Sequence, residues 1–233
     1  MQDSVKARVG EALGTFFLVF LGAGSFCLDA FTGGRVGLLG IAVAHGLALS
    51  IAVTVTLPLS GGHLNPAVTF AAMLTGRLER RPGLLIMASQ LVGAAVAGFF
   101  LRLIFEESVW QARALGTPDL SPAVKTGNGI FIEAVLTFLM VFVYWATVVD
   151  ERTPRIAGFG VGLTLCASIL MGGALTGAAL NPARAFGPAM ASGHWNNHLV
   201  YWIGPMLGAA PAAFLHDRLF PGKRRAPAGP AGD

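Results

Sequence analysis

The chain has 233 residues, of which 54% are hydrophobic and only 12% charged, and its mean hydropathy is +0.66. A charged fraction half that of ordinary globular chains excludes the soluble classes and points to an integral membrane protein. The net charge of +4 and sequence pI near 9.6 do not indicate a nucleic-acid partner, because the basic residues alternate with apolar segments instead of forming one face.

Six apolar stretches, at 9–30, 37–57, 83–104, 128–149, 157–174 and 199–219, approach the roughly 20 residues that a helix needs to cross a bilayer. The first has no small-residue cleavage site and runs into a multi-span pattern, so it is read as a retained helix. It carries Glu11 at membrane depth, where an isolated carboxylate is costly and calls for a role. After the second stretch comes "HLNPAVTF" (63–70), too short and too close to glycines to be a span. Asn is a preferred N-cap and Pro is favoured at the first helical position, so Asn65-Pro66-Ala67 reads as a helix start. A helix from Asn65 to Gly76 would run about 15–18 Å, half a bilayer.

Residues 105–127, rich in Gly, Pro, Ser and charge, read as an external linker. The fourth stretch carries Glu133, the fifth Cys166, and "ALNPARAF" (179–186) follows with a second helix start at Asn181-Pro182-Ala183. Arg184, its third helical residue, is a fixed cation at the positive end of a helix, an unfavourable placement that argues for function. His194 and His198 are four apart in a loop and read as interfacial rather than metal-binding, His63 as a packing residue beside the first N-P-A or one near the central site, and Cys166 as facing either that site or its neighbours. Gly204 with Gly208 and Gly10 with Gly14 make small-residue faces for close helix contact. Cys27 and Cys166 lie in spans, where no disulfide framework can be read from them. The tail 221–233 reads as a disordered basic segment.

The halves repeat: "GEALGTFFLVF" (10–20) pairs with "IEAVLTFLMVF" (132–142), and the two N-P-A segments pair with each other. With three spans in each half, the second enters from the opposite face, an inverted repeat whose site is expected near the midplane. Repeat one covers about 8–104 and repeat two about 128–219, within one transmembrane domain spanning 1–220. Lys6, Arg8, Arg77, Arg80, Arg81, Arg152, Arg155, Arg218 and Lys223 to Arg225 fall on one side, against Arg35, Arg102, Arg113 and Lys125 on the other. The positive-inside rule then makes both termini cytoplasmic, and the plasma (inner) membrane is the expected location.

The paired "SGGHLNPAVTF" and "GAALNPARAFGPA", the glutamate of each first helix, "SQLVGA" (89–94) and "LVYWIGP" (199–205) closely resemble the aquaporin, or major intrinsic protein, family over nearly the whole chain. The resemblance implies an all-α fold of six transmembrane helices and two re-entrant half-helices, a homotetramer with one pore per subunit, no enzyme activity, no cofactor and no metal. It implies that Glu11 and Glu133 support the re-entrant loops, and that Arg184 shares a selectivity filter with His45, Ile169 and Ala178, placed by offset from the motifs. His45 is expected to offer a donor or acceptor, Ile169 an apolar wall and Ala178 room. This set is most similar to the plant tonoplast intrinsic proteins, which adds ammonia, urea and hydrogen peroxide to water as candidate solutes. A glycerol facilitator is the alternative, opposed by Ala185, Ala189 and Tyr201-Trp202 at positions where facilitators differ. An ion-coupled transporter is a more distant one, short of intramembrane carboxylates for a coupling path.

Overall fold

The computed structural model describes residues 5–150, 152 and 156–221. Arg155, Lys223, Arg224 and Arg225, counted above for orientation, and residues 222–233 of the tail lie outside the described residues. The described chain is helical, with long helices α1 (Val5–Phe31), α2 (Gly37–Ser60), α4 (Arg80–Ile104), α6 (Thr126–Tyr144), α7 (Gly158–Thr176) and α9 (Val200–Leu219). Two short helices, α3 (Pro66–Leu74) and α8 (Pro182–Ser192), start at the N-P-A segments, and a wider π-turn carries α6 on to Val149. Five of the long helices are apolar and long enough to span a membrane outright. The sixth, α9, has 20 residues but is diluted by Tyr201, Trp202, two prolines and a polar last turn of His216, Asp217 and Arg218.

The outer surface identifies its solvent. On α1, Val9, Leu13, Phe17 and Leu21 recur every fourth residue and are all exposed, while Gly10, Gly14 and Leu18 on the other side are buried. Apolar residues on the outward face of a helix belong against lipid, not water.

Packing follows the repeat. Helix α1 packs on α2 and α4, as α6 packs on α7 and α9; α4 packs on α8 as α9 packs on α3; and α2 meets α7 across the centre. Exchanging the two halves leaves this scheme unchanged, as a pseudo-twofold axis in the membrane plane requires. Small residues permit the approach, since lipid provides no hydrophobic drive between helices. A Cβ on Gly93 would run into the carbonyl of Ala12, and one on Gly208 into the carbonyl of Ala134, the equivalent residue of the other half. At the centre, a Cβ on Gly46 would stand 2.7 Å from the Gly162 oxygen. Cys166 sits against this Gly46 contact, with its Cβ 2.9 Å from that position, so it faces α2.

The linker is more ordered than its composition suggests. It forms a short helix, α5 (Glu107–Ala112), then a turn at Ala114, Leu115 and Gly116 with φ of 43°, 54° and 73°. Arg113 pairs with Asp29 at 2.9 Å, and Asp29 also accepts the Gly37 N–H at 2.9 Å, which ties linker, α1 and α2 together. On the opposite face, where α1 begins and α9 ends, Arg77 makes a bidentate pair with Asp217 at 2.6 and 2.7 Å.

Replacing Gly208 by Leu would force α9 off α6. We expect that variant to lose about 1–3 kcal/mol of stability or more, in line with overpacked cores, and to show a lower thermal unfolding midpoint in detergent; an unchanged midpoint would refute the close-contact account.

Candidate functional site

The two half-helices meet end to end. Asn65 caps α3 by accepting the Ala67 N–H at 2.8 Å, and Asn181 caps α8 by accepting those of Ala183 and Arg184 at 2.9 and 3.3 Å. Pro66 and Pro182 follow as the first helical residues, where a missing N–H costs nothing. Each amide then donates across the junction, Asn65 to the Leu180 carbonyl at 2.9 Å and Asn181 to the Leu64 carbonyl at 2.8 Å. An amide NH₂ has two hydrogens, so one on each Asn is left for a visitor. Pro66, Ala67, Pro182 and Ala183 are buried behind the two amides.

The loops that deliver these caps are strained in the same way. Leu64 and Leu180 have φ of 50° and 55°, and Ala178 has φ of 44° where its counterpart Gly62 has 67°. Left-handed conformations of non-glycine residues cost about 1–3 kcal/mol and persist only under strong constraint. The buried carboxylates supply it. Glu11 accepts the N–H groups of His63 and Leu64 at 2.9 and 2.7 Å, with Ser60 Oγ and Gln90 Nε2 both at 2.6 Å. Glu133 accepts those of Ala179 and Leu180 at 3.0 and 2.8 Å, and the Thr176 hydroxyl at 2.7 Å. Every one of these contacts is a donor, four to Glu11 and three to Glu133, so each carboxylate acts as an acceptor throughout.

A narrow tract runs past this junction. Its polar strip consists of His45, Arg184, Asn181, Asn65, His63 and Tyr144; its apolar wall includes Leu18, Leu49, Val68, Met140, Val161 and Leu165. Val68 and Arg184 are the third residues of α3 and α8, on opposite sides of the junction.

At the linker end, Arg184 donates through Nη1 to the Gly116 carbonyl at 2.8 Å, and its Nη2 lies 3.2 Å from His45 Nε2. Its guanidinium stands 5.6 Å over the Phe26 ring. The other His45 nitrogen, Nδ1, is 2.9 Å from the Ile41 carbonyl, which can only accept. Nδ1 therefore carries the proton and Nε2 accepts from Arg184, so the imidazole is neutral. His45 lines the tract with both ring nitrogens engaged, one on the Ile41 carbonyl and the other on Arg184, whose position it helps to set. Ile169 and Ala178 are buried beside the tract, whose wall there is provided by Leu165, one turn before Ile169, and Ala179.

His194 and His198 face different partners. His194 Nε2 is 2.7 Å from Asp119, and His198 Nε2 accepts the Trp202 indole N–H at 3.1 Å. Burial pushes the Asp119 carboxyl up, but hydrogen bonds from Asn197, His194 and the Leu120 N–H outweigh it and hold the group below its usual range.

Several working residues escape sequence reasoning. The Gly116 carbonyl has no residue-type signal, and Phe26 is one of 16 phenylalanines. Gly22 leaves the room that the His45 ring fills: a Cβ there would stand 2.6 and 2.7 Å from its Cδ2 and Nε2. Gln90 sits in the quoted "SQLVGA", but only the fold brings it to Glu11.

Chemically, the tract presents fixed donors at its centre and one end, an apolar wall opposite, and no ionisable relay through the junction, which suits a small neutral molecule moving in single file. Comparison with known proteins agrees. The family model described as "Major intrinsic protein" matches residues 1–216. Aquaporin TIP1-2 of Zea mays is 41% identical over 230 residues, covering 95% of this chain and 89% of the relative. Probable aquaporin TIP3-2 of Arabidopsis thaliana is 40% identical over 228 residues, covering 92% and 84%. Among solved structures, the aquaglyceroporin from Plasmodium falciparum superposes with a TM-score of 0.81 at 25% identity, over 93% of this chain and 97% of that one.

A methyl group at Gly22 would push His45 from Arg184. Gly22→Ala should therefore raise urea permeability relative to water in proteoliposomes; an unaltered ratio would mean that His45 does not set the position of Arg184.

Proposed function

Because the chain belongs to the major intrinsic protein family, it is a membrane channel for water and not an enzyme, and we propose that water crosses it in single file between the Asn65 and Asn181 amides. The observation that carries this reading is the pair of crossed asparagines: each has its carbonyl oxygen bound in a cap and one N–H bound across the junction. A water oxygen that accepts from the two remaining N–H groups has its hydrogens turned outward along the file. The half-helix N-termini, each equivalent to about +0.5 charge, raise the energy of a proton or cation at that point.

We assign the second barrier to Arg184 with His45, Ile169 and Ala178. The support is the arginine's pair of fixed contacts, to Gly116 and His45, which hold a permanent charge beside the tract. Pro66, Ala67, Pro182 and Ala183 shape the two helix starts, and Glu11 and Glu133 hold the loops. Residues 1–220 form one channel domain of two repeats, 8–104 and 128–219. The assembly is a homotetramer in the bilayer, and ammonia, urea and hydrogen peroxide are further solutes of the apolar-walled tract.

The protein is integral and multi-pass. The basic residues crowding the face where α1 begins and α9 ends favour a cytoplasmic location for that face. The plasma (inner) membrane is our assignment; the TIP-named relatives favour an internal one, and membrane fractionation separates the two. Glycerol permeation is the second reading, favoured by the aquaglyceroporin likeness and opposed by Ala185 and Ala189.

Stopped-flow light scattering of proteoliposomes with water, ammonia, urea and glycerol tests the proposal. We expect water permeability well above protein-free vesicles, little glycerol flux and no uptake against a gradient. Arg184→Ala should admit larger or charged species; unchanged selectivity would contradict the filter assignment, and glycerol flux matching that of water would favour the second reading.

A further inference from the structure

Tyr144 and His63 narrow the tract on the side away from Arg184, and we propose that they form a second constriction in which Tyr144 sets the size limit. This inference rests on the reading of the tract as a water pore. Both residues line the tract, on the side where α1 begins and α9 ends. Tyr144 ends α6, one helical turn after Met140, so the two share the face turned to the tract. Its hydroxyl donates to the Gly61 carbonyl at 2.6 Å, which pins the phenol across the mouth of the loop that leads to Asn65. The imidazole of His63 stands edge-on to that ring, with centroids 6.1 Å apart at 79°. Gly61 closes the group: a Cβ there would be 3.5 Å from His63 Nε2 and 3.9 Å from the Tyr144 oxygen.

His63 is held in the same network as the loop carboxylate: Gln90 Nε2 donates to Glu11 at 2.6 Å and to Thr69 Oγ1 at 3.0 Å, and Thr69 Oγ1 lies 3.1 Å from His63 Nδ1. The two ends of the tract thus differ in chemistry as well as position, with Arg184 at one and His63 with Tyr144 at the other. A water passes both; a wider solute must clear a phenol held by its own hydrogen bond.

Two constrictions in series make a specific demand, because opening one relieves only its own share of the resistance and the other still contributes. Urea and glycerol permeability of proteoliposomes would be compared among wild type, Arg184→Ala, Tyr144→Ala and the double variant. The double variant should exceed either single one severalfold, because each single variant retains the resistance of the other constriction. A double variant no more permeable than Arg184→Ala overturns the proposal. Tyr144→Cys gives an independent readout with less loss of volume: a charged methanethiosulfonate applied to the face where α1 begins and α9 ends should remove most of its water flux. Wild type should resist the reagent, because Cys27 is buried and the half-buried Cys166 packs at Gly46 of α2, outside the lining of the tract. Absence of block in Tyr144→Cys also overturns the proposal. Wild-type water permeability no greater than that of protein-free vesicles would defeat the pore reading itself, whereas water flux with neither effect at Tyr144 defeats only the second constriction.

Discussion

Two buried carboxylates bound to backbone N–H groups are the interaction on which the rest of this structure depends. Glu11 and Glu133 each sit at membrane depth, where a charge without partners costs several kcal/mol. Each has its cost offset by a loop whose N–H groups have no water to turn to. The exchange holds Leu64 and Leu180 in left-handed conformations that neither would choose alone. From those conformations the chain enters α3 and α8 with Asn65 and Asn181 as caps. Without the carboxylates, the loops would have strained backbone and unpaired donors together, each orphaned N–H costing about 1–3 kcal/mol.

Symmetry makes one solution serve twice, and the departures from symmetry carry the specificity. Ala12 and Ala134 receive Gly93 and Gly208 in the same way, and the loop glutamates are equivalent. Val68 and Arg184 occupy matching positions in α3 and α8, yet only one is charged. Arg184 at the unfavourable end of a helix dipole is tolerated because Gly116 and His45 accept from it and Phe26 lies beneath it. His63 and Tyr144 occupy the other end of the tract with different chemistry.

Much of this was legible in the sequence where the signal is local. Asparagine followed by proline is a helix start on its own terms, and two such starts in an inverted repeat locate the junction. A glutamate inside an apolar span announces a partner. Nothing local announces that the partner is a run of backbone N–H groups some 50 residues away, as it is for Glu11 at Leu64, 53 positions on. The linker was harder still: its Gly, Pro and charge read as an irregular connection, but the Gly116 carbonyl reaches Arg184 across 68 positions, held by the Arg113–Asp29 pair. His45 is legible as a polar residue within a span, but its two hydrogen bonds, to the Ile41 carbonyl and to Arg184, depend on the fold. Gly22 and Tyr144 depend on what stands opposite them, which only the fold determines.

Because the loop carboxylates underlie both the caps and the tract, Glu133→Gln is the most direct test. The amide keeps the size of the side chain but replaces an acceptor oxygen with an NH₂ facing the loop's own donors. The account predicts a protein that remains helical by circular dichroism in detergent, yet loses most of its water permeability in stopped-flow measurements on proteoliposomes. Helical Glu133→Gln protein with wild-type water permeability would contradict it.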